Sequence, residues 1–120
     1  MSHYAKGTRF EHKVRNHLIE NGYEVVRAAG SKGGTKADLL AFKPGQLLLV
    51  QCKTDGKLPA VEWDRIVEVA GWVGGVPLLA MNGVRGRGVL YRRLLGPKIP
   101  RSTLQPIEPF FPDEVADAPV

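Results

Sequence analysis

Apolar residues recur every three or four positions in two stretches of the chain, which is typical of helices with one buried face. The first stretch runs from about residue 5 to residue 21 and spaces Phe10, Val14 and Leu18 four residues apart. The second follows Pro59, a residue suited to the first turn of a helix, and ends at Gly74-Gly75. Its apolar stripe comprises Trp63, Ile66, Val67, Ala70 and Val73. These stretches predict two amphipathic helices.

Five shorter stretches have the length and the branched or apolar residues of β-strands. They span residues 24–29, 37–42, 47–54, 76–81 and 89–95. The third begins with four consecutive apolar residues, as expected of a strand that is buried on both faces. The predicted order is α-β-β-β-α-β-β, an α/β domain with a central mixed sheet in which the second helix makes a parallel crossover.

The character of the chain changes after residue 95, where no apolar periodicity continues. Six of the nine prolines lie in residues 96–120, so we predict a domain over residues 1–95 and a Pro-rich, extended C-terminal tail over residues 96–120. Within the tail, Ile107, Phe110 and Phe111 resemble a sliding-clamp-binding segment. The alternative, which we favour, is that the two aromatic side chains pack on this subunit or on a sister subunit.

Charge is unevenly distributed along the chain. The 120 residues carry a net charge of +5, but residues 1–100 carry +8 and residues 101–120 carry −3. Positive charge concentrated on so small a body indicates a polyanion partner such as nucleic acid, with solubility as the alternative reason for it. No apolar run approaches the roughly 20 residues of a membrane-spanning helix. Together with 43% hydrophobic residues and one cysteine, this predicts an intracellular, cytoplasmic globular protein without disulfides.

Three polar residues interrupt the predicted apolar strands at positions that suit a catalytic site. Asp38 opens the second strand, and Gln51 and Lys53 share one face of the third. The short turn between these strands pairs Phe42 with Leu47, which brings Asp38 beside Gln51. Carboxylate and amide oxygens are ligands for Mg²⁺, and a lysine beside them can orient or help deprotonate an attacking water. The three residues therefore suit phosphodiester hydrolysis.

A longer pattern connects these residues with a known family. The chain resembles the PD-(D/E)XK nuclease superfamily in the order of Glu11, Gly30-Ser31, Asp38 and Gln51-Cys52-Lys53. Over about residues 5–95 it resembles the archaeal-type Holliday junction resolvases in the segments Gly7-Thr8-Arg9-Phe10-Glu11, Ala28-Ala29-Gly30-Ser31 and Leu49-Val50-Gln51-Cys52-Lys53. The resemblance implies a restriction-endonuclease-like core and a small homodimer that cuts four-way DNA junctions with Mg²⁺, for which Mn²⁺ can substitute.

The resemblance also implies a role for each residue of the pattern. Asp38, Gln51 and Glu11 would form the metal site, with the backbone carbonyl of Cys52 as a further ligand, and Lys53 would be the catalytic lysine. Resolvases of this type usually have Glu where this chain has Gln51, and the Gln-x-Lys version resembles Mrr-type restriction nucleases. Two alternatives to a resolvase therefore stay open: a Mrr-like restriction, nicking or repair endonuclease, and a catalytically silent DNA-binding protein.

Basic residues and the glycine-rich loop before the second strand are the candidate DNA contacts. Ser31, in that loop, would act near the scissile phosphate. The basic candidates for phosphate contact are Lys6, Arg9, Lys13, Arg27, Lys32, Lys36, Arg85 and Arg87. A solvated protein surface is the alternative interpretation of these charges.

Several candidate site residues also fit structural roles. Thr8 and Glu11 have the spacing of a helix-capping box, in which Glu11 would bond back to the helix start. Lys53 can extend from the strand end to water, and Gln51 can be a hydrogen-bonded core amide. Cys52 is expected to be a buried apolar side chain on the opposite face of the strand.

Overall fold

The structure is a computed structural model that describes residues 3–28 and 37–113, with side chains from Gly7 onward. Within these ranges the α-helices and β-strands are α1 (His3–Glu20), β1 (Glu24–Arg27), β2 (Leu39–Lys43), β3 (Gln46–Cys52), α2 (Ala60–Val73), β4 (Val76–Asn82), β5 (Val89–Leu94) and β6 (Ile107–Phe110), and the loop between β4 and β5 contains a short 3-10 helix, Val84–Gly86. The predicted order of the first seven elements is confirmed. Neither of the two helices described here is long and apolar enough to cross a membrane.

The strands form one sheet in which they lie side by side in sequence order, from β1 to β6. β3 and β4 are parallel, which confirms the predicted crossover through α2, and the other neighbouring strands are antiparallel. Phe42 pairs with Leu47, as the turn between β2 and β3 predicts. At the other end of this hairpin Leu39 pairs with Val50, so the register continues toward Asp38.

Each face of the sheet carries a hydrophobic layer that one helix covers. Because side chains alternate along a strand, β3 contributes Leu48 and Val50 to the layer under α1 and Leu49 to the layer under α2. All three are at most 2% exposed. The helices contribute Phe10, Val14 and Leu18 on one face and Trp63, Ile66, Val69 and Ala70 on the other. Burial on both faces explains the unbroken apolar run with which β3 begins.

The segment after β5 is joined to the domain more closely than an extended tail would be. β6 pairs with β5 and places Phe110 opposite Tyr91, whose rings meet edge to face with centroids 6.3 Å apart. Trp63 Nε1 in α2 donates a hydrogen bond of 2.8 Å to the carbonyl oxygen of Gly96. The sequence pattern thus missed a strand, and Phe110 packs on its own subunit. A sliding-clamp contact through this segment stays a prediction.

Candidate active site

The β2–β3 hairpin places Asp38 against the end of β3. The backbone N–H of Asp38 donates to the carbonyl oxygen of Val50 at 2.8 Å, which extends the ladder one residue beyond β2. Oδ2 of the Asp38 carboxylate accepts a hydrogen bond from the N–H of Cys52, also at 2.8 Å. The main chain of β3 therefore holds the carboxylate beside Gln51 and Cys52.

Burial is the main influence on the Asp38 carboxylate and raises its pKa from 3.8 to about 6. The hydrogen bond from the Cys52 N–H lowers this pKa, whereas the negative charge of Glu11 raises it. Smaller effects come from Lys53, which lowers the pKa, and from Glu62, which raises it. Glu11 and Glu62 are thus both near enough to Asp38 to influence its pKa. A cation at Asp38 would relieve this repulsion and favour the ionised form.

Gln51 is a buried polar residue within the described core, with 4% of its surface exposed. Its amide Nε2 donates a hydrogen bond to Glu62 Oε1 at 3.0 Å. Lys53 Nζ lies 3.4 Å from the same oxygen. Gln51 Oε1 is also buried, and no residue in the described part of the chain is its hydrogen-bond partner. One half of the amide is satisfied as in an ordinary core glutamine, while the other half presents an unused acceptor.

Glu62 is the site residue that sequence reasoning missed. It lies in the first turn of α2, and it reaches Gln51 and Lys53 because the chain turns back over the end of β3 to begin the crossover helix. A carboxylate in a first helical turn is common, since it complements the helix dipole, so the sequence alone suggested no further role. The available signal was its position shortly after the Gln-x-Lys pattern.

Glu11 extends from α1 toward β1, where its Oε1 lies 2.9 Å from Arg27 Nε in an ion pair. Because α1 begins at His3, Thr8 lies inside the helix and is not its N-cap. The capping-box interpretation of Glu11 is therefore wrong. The effect of Glu11 on the pKa of Asp38 shows that the Arg27–Glu11 pair adjoins the site.

A cleft of about 400 Å³ lies between α1 and the end of β3. Its lining residues are Gly7, Phe10, Glu11, Cys52, Lys53, Thr54 and Asp55. Burial raises the pKa of the Cys52 thiol, and the charges of Asp38 and Glu11 raise it further, so the sulfur stays protonated and inert. The other ionisable residues that line the cleft are Glu11, Lys53 and Asp55.

The donor set at the end of the hairpin fits a hard cation. Within residues 3–28 and 37–113, no three His, Cys, Asp or Glu side chains are grouped closely enough to hold a metal ion. The oxygens at the hairpin end that could hold a metal are those of Asp38 and Gln51, with the Cys52 carbonyl and water completing the shell, whereas the predicted ligand Glu11 is held in its ion pair with Arg27. Mg²⁺ accepts such a set because it usually keeps several waters. The buried, unused Oε1 of Gln51 is the structural feature that fits this chemistry best.

Two of the basic candidates, Arg85 and Arg87, are exposed in the loop between β4 and β5. A third, Lys13, has internal partners: its Nζ donates to Asn82 Oδ1 at 2.8 Å and to the carbonyl oxygen of Gly86 at 2.9 Å. Lys13 therefore fastens this loop to α1.

The remaining basic candidates lie in three different settings. Arg9 is exposed on α1, and Arg27 pairs with Glu11 beside the site. Ser31, Lys32 and Lys36 lie outside the described residues, as does the side chain of Lys6.

Two helices flanking this mixed sheet, with a carboxylate and a Gln-x-Lys segment at one hairpin end, define a restriction-endonuclease-like α/β fold. The solved structure of Archaeoglobus fulgidus Hjc, described as a Holliday junction resolvase from an archaeal hyperthermophile, matches with a TM-score of 0.63. The match covers 71% of this chain and 74% of that one, at 23% sequence identity. It confirms the predicted fold class.

The family model for the archaeal Holliday junction resolvase, Hjc, matches residues 2–95, and the chain belongs to this family. The crossover junction endodeoxyribonuclease Hjc of Methanocaldococcus jannaschii is 34% identical to it over 83 residues. This alignment covers 66% of the chain and 60% of that relative, so the chain matches about three fifths of the relative's length. The family inferred from the sequence motifs is therefore confirmed.

Proposed function

We propose that this chain is a Mg²⁺-dependent endodeoxyribonuclease that resolves four-way (Holliday) junctions by paired, symmetric phosphodiester hydrolysis. Membership in the resolvase family supports this function, as does the activity named for the relative from M. jannaschii. The observation that carries the proposal is the pair of groups at the hairpin end. Burial raises the pKa of Asp38 to about 6, and the buried Oε1 of Gln51 lacks a partner among the described residues. A divalent cation would satisfy both.

In this proposal Asp38 and Gln51 hold the cation, with the Cys52 carbonyl and water, and Mn²⁺ can replace Mg²⁺. The bound cation would polarise the scissile phosphate and lower the pKa of a bound water. Lys53 lines the cleft, from which its ammonium group can donate hydrogen bonds to the attacked phosphate. It thereby stabilises the negative charge that develops on the phosphate oxygens.

Positive charge on residues 1–100 supports DNA as the substrate. Arg27 stands at the edge of the site through its pair with Glu11, and Arg85 and Arg87 project from the loop that Lys13 holds. Guanidinium groups bind phosphates with two parallel hydrogen bonds, so these three arginines suit contacts with the strands around the cut.

A homodimer matches the symmetry of the substrate. A four-way junction requires two opposed nicks, and one chain carries one candidate site at the end of its β2–β3 hairpin. A C2 dimer presents two such sites related by a two-fold axis, and a two-fold axis also relates the two DNA strands that are cut. We therefore propose that the chain acts as a homodimer on branched DNA.

A second candidate function is a Mrr-like restriction, nicking or repair endonuclease with the same chemistry and a different target. The amide at Gln51 favours it, because the Gln-x-Lys pattern resembles that group. A silent DNA-binding protein is the third candidate, since a neutral ligand at this position weakens a metal site.

The test is a nicking assay with Mg²⁺ on a labelled four-way junction, a linear duplex and a single strand. We expect paired symmetric nicks in the junction alone and none with Asp38→Asn. Asp113→Asn, the same chemical change at an exposed position, is the matched control and should cut like the wild type. Equal cutting of the duplex would support the second candidate. Junction binding without cutting in Mg²⁺ or Mn²⁺ would contradict nuclease function.

A further inference from the structure

Glu62 contacts both polar residues of the Gln-x-Lys segment through one oxygen. Its Oε1 accepts the hydrogen bond from Gln51 Nε2 at 3.0 Å and lies 3.4 Å from Lys53 Nζ. The Glu62 side chain is 25% exposed, whereas Gln51 is 4% exposed, so the amide is the more deeply placed member of the pair. A carboxylate from α2 therefore accepts a hydrogen bond from the nitrogen of an amide in β3, whose oxygen has no partner among the described residues.

The hydrogen bond between these two residues determines which way the Gln51 amide faces. An amide can rotate by half a turn and exchange its oxygen for its nitrogen with little change in shape. At Gln51 the exchange would set the amide oxygen against the Glu62 carboxylate, which repels it, and would lose the hydrogen bond at Nε2. Glu62 therefore keeps Oε1 as the atom available on the other side of the amide.

Glu62 also adds negative charge where Gln51 has none. An amide oxygen donates electron density to a cation but leaves the charge of the site unchanged, whereas a nearby carboxylate attracts the cation through space. As a simple ion pair with Lys53, a partly exposed Glu62 would contribute only about 0–1 kcal/mol to stability. The same charge would act more strongly on a divalent cation held at Gln51, because Coulomb attraction grows with the charge of the cation.

We propose that Gln51 and Glu62 act as one unit of the metal site, in which Gln51 supplies the ligand oxygen and Glu62 supplies the charge and fixes the amide. The proposal rests on the metal-dependent function proposed above. Glu62 is then a positioning residue that acts through Gln51 and Lys53, and the amide–carboxylate pair performs the task of a single glutamate at this position.

The test measures Mg²⁺ and Mn²⁺ affinity by calorimetry on the DNA-free protein. We expect Glu62→Gln to weaken binding by about tenfold or more, the usual effect of losing a residue that supports a metal ligand. Glu68→Gln removes the same charge from an exposed position on the same helix and should leave affinity unchanged. The exchange variant Gln51→Glu/Glu62→Gln reverses the pair, since the new amide can donate to the new carboxylate, and should restore affinity to within about threefold.

Each outcome bears on the pair. Three results would overturn the proposed Gln51–Glu62 unit. Glu62→Gln could bind the metals as tightly as the wild type, the exchange variant could bind as weakly as Glu62→Gln, or the wild type could bind neither metal. Where Glu62→Gln fails to fold, the exchange variant is compared with Gln51→Glu alone. A purely structural Glu62 predicts equal metal affinity in the two, whereas the pair predicts tighter binding in Gln51→Glu, which keeps both charges. A protein with the expected affinities that leaves junctions uncut would contradict only the proposed function. A protein that cuts junctions and loses no affinity in Glu62→Gln would contradict only the pair.

Discussion

Replacing Asp38 by Asn should make the metal-free protein more stable at neutral pH while removing its activity. Burial raises the pKa of Asp38 to about 6. The ionised carboxylate at pH 7 therefore raises the free energy of the folded state relative to the unfolded state. Asn is neutral and nearly the same shape, and its side-chain oxygen can still accept the hydrogen bond from the Cys52 N–H. The substitution therefore removes the unfavourable charge and keeps the main contact.

The size of the effect follows from the two pKa values of Asp38. The difference between 3.8 and about 6 corresponds to about 3 kcal/mol at 1.36 kcal/mol per pH unit, and solvent screening of a partly exposed group reduces this to about 1–2 kcal/mol. The folded state binds the proton more tightly, so stability is lost as pH rises from about 4 to about 6 and the loss persists above that window.

Urea denaturation in EDTA measures this difference directly. At pH 7.5 we expect Asp38→Asn to exceed the wild type by about 1–2 kcal/mol, or by about 4–8 °C in melting temperature for a chain of 120 residues. Near pH 4 the two proteins should converge, because Asp38 is then largely protonated in the folded state. Asp113→Asn, at an exposed position, should change neither value. Equal or lower stability of Asp38→Asn at pH 7.5 would refute the reasoning.

Three further substitutions test other contacts of the site. Lys53→Ala should reduce the single-turnover cleavage rate by about 100-fold or more, with junction affinity in a gel-shift assay changed by less than about threefold; an equal loss of binding would contradict a role at the reacting phosphate. Arg27→Ala leaves the charge of Glu11 uncompensated, which should raise the pKa of Asp38 further and move the acidic limb of the pH–rate profile to higher pH. An unmoved limb would exclude electrostatic coupling between Glu11 and Asp38. Lys13→Ala should release the loop between β4 and β5, which we expect to appear as several-fold faster trypsin cleavage at Arg85 or Arg87; unchanged proteolysis would mean that the loop is held without Lys13.

The sequence predicted those parts of the fold that depend on local periodicity. The spacing of Phe10, Val14 and Leu18 and the apolar start of β3 both reflect burial against the sheet, so the two helices and five strands could be recognised. β6 was missed because it is short and contains Pro109, which lacks an N–H and disrupts a strand pattern. Its position at the edge of the sheet, beyond β5, tolerates a proline.

The part of the site that depends on the register of the β2–β3 hairpin was predictable from the sequence. The turn between β2 and β3 is enough to place Asp38 near Gln51, because each residue step along one strand is matched on its partner. The contacts of Glu11 with Arg27 and of Glu62 with Gln51 join separate elements, and they depend on how each helix lies on the sheet. No spacing rule within one element could reveal them.

The position of Glu62 connects the fold with the candidate chemistry. The crossover from β3 to the parallel strand β4 requires a helix that starts near the end of β3, where the apolar run gives way to Gln51 and Lys53. A carboxylate in the first turn of that helix contributes about 0.3–1 kcal/mol through the helix dipole. Glu62→Gln also removes the ion pair with Lys53, so it should lower stability by no more than about 2 kcal/mol in total, too little to unfold a domain of ordinary stability. A tenfold loss of metal affinity in the same variant would thus come from the site rather than from loss of the fold.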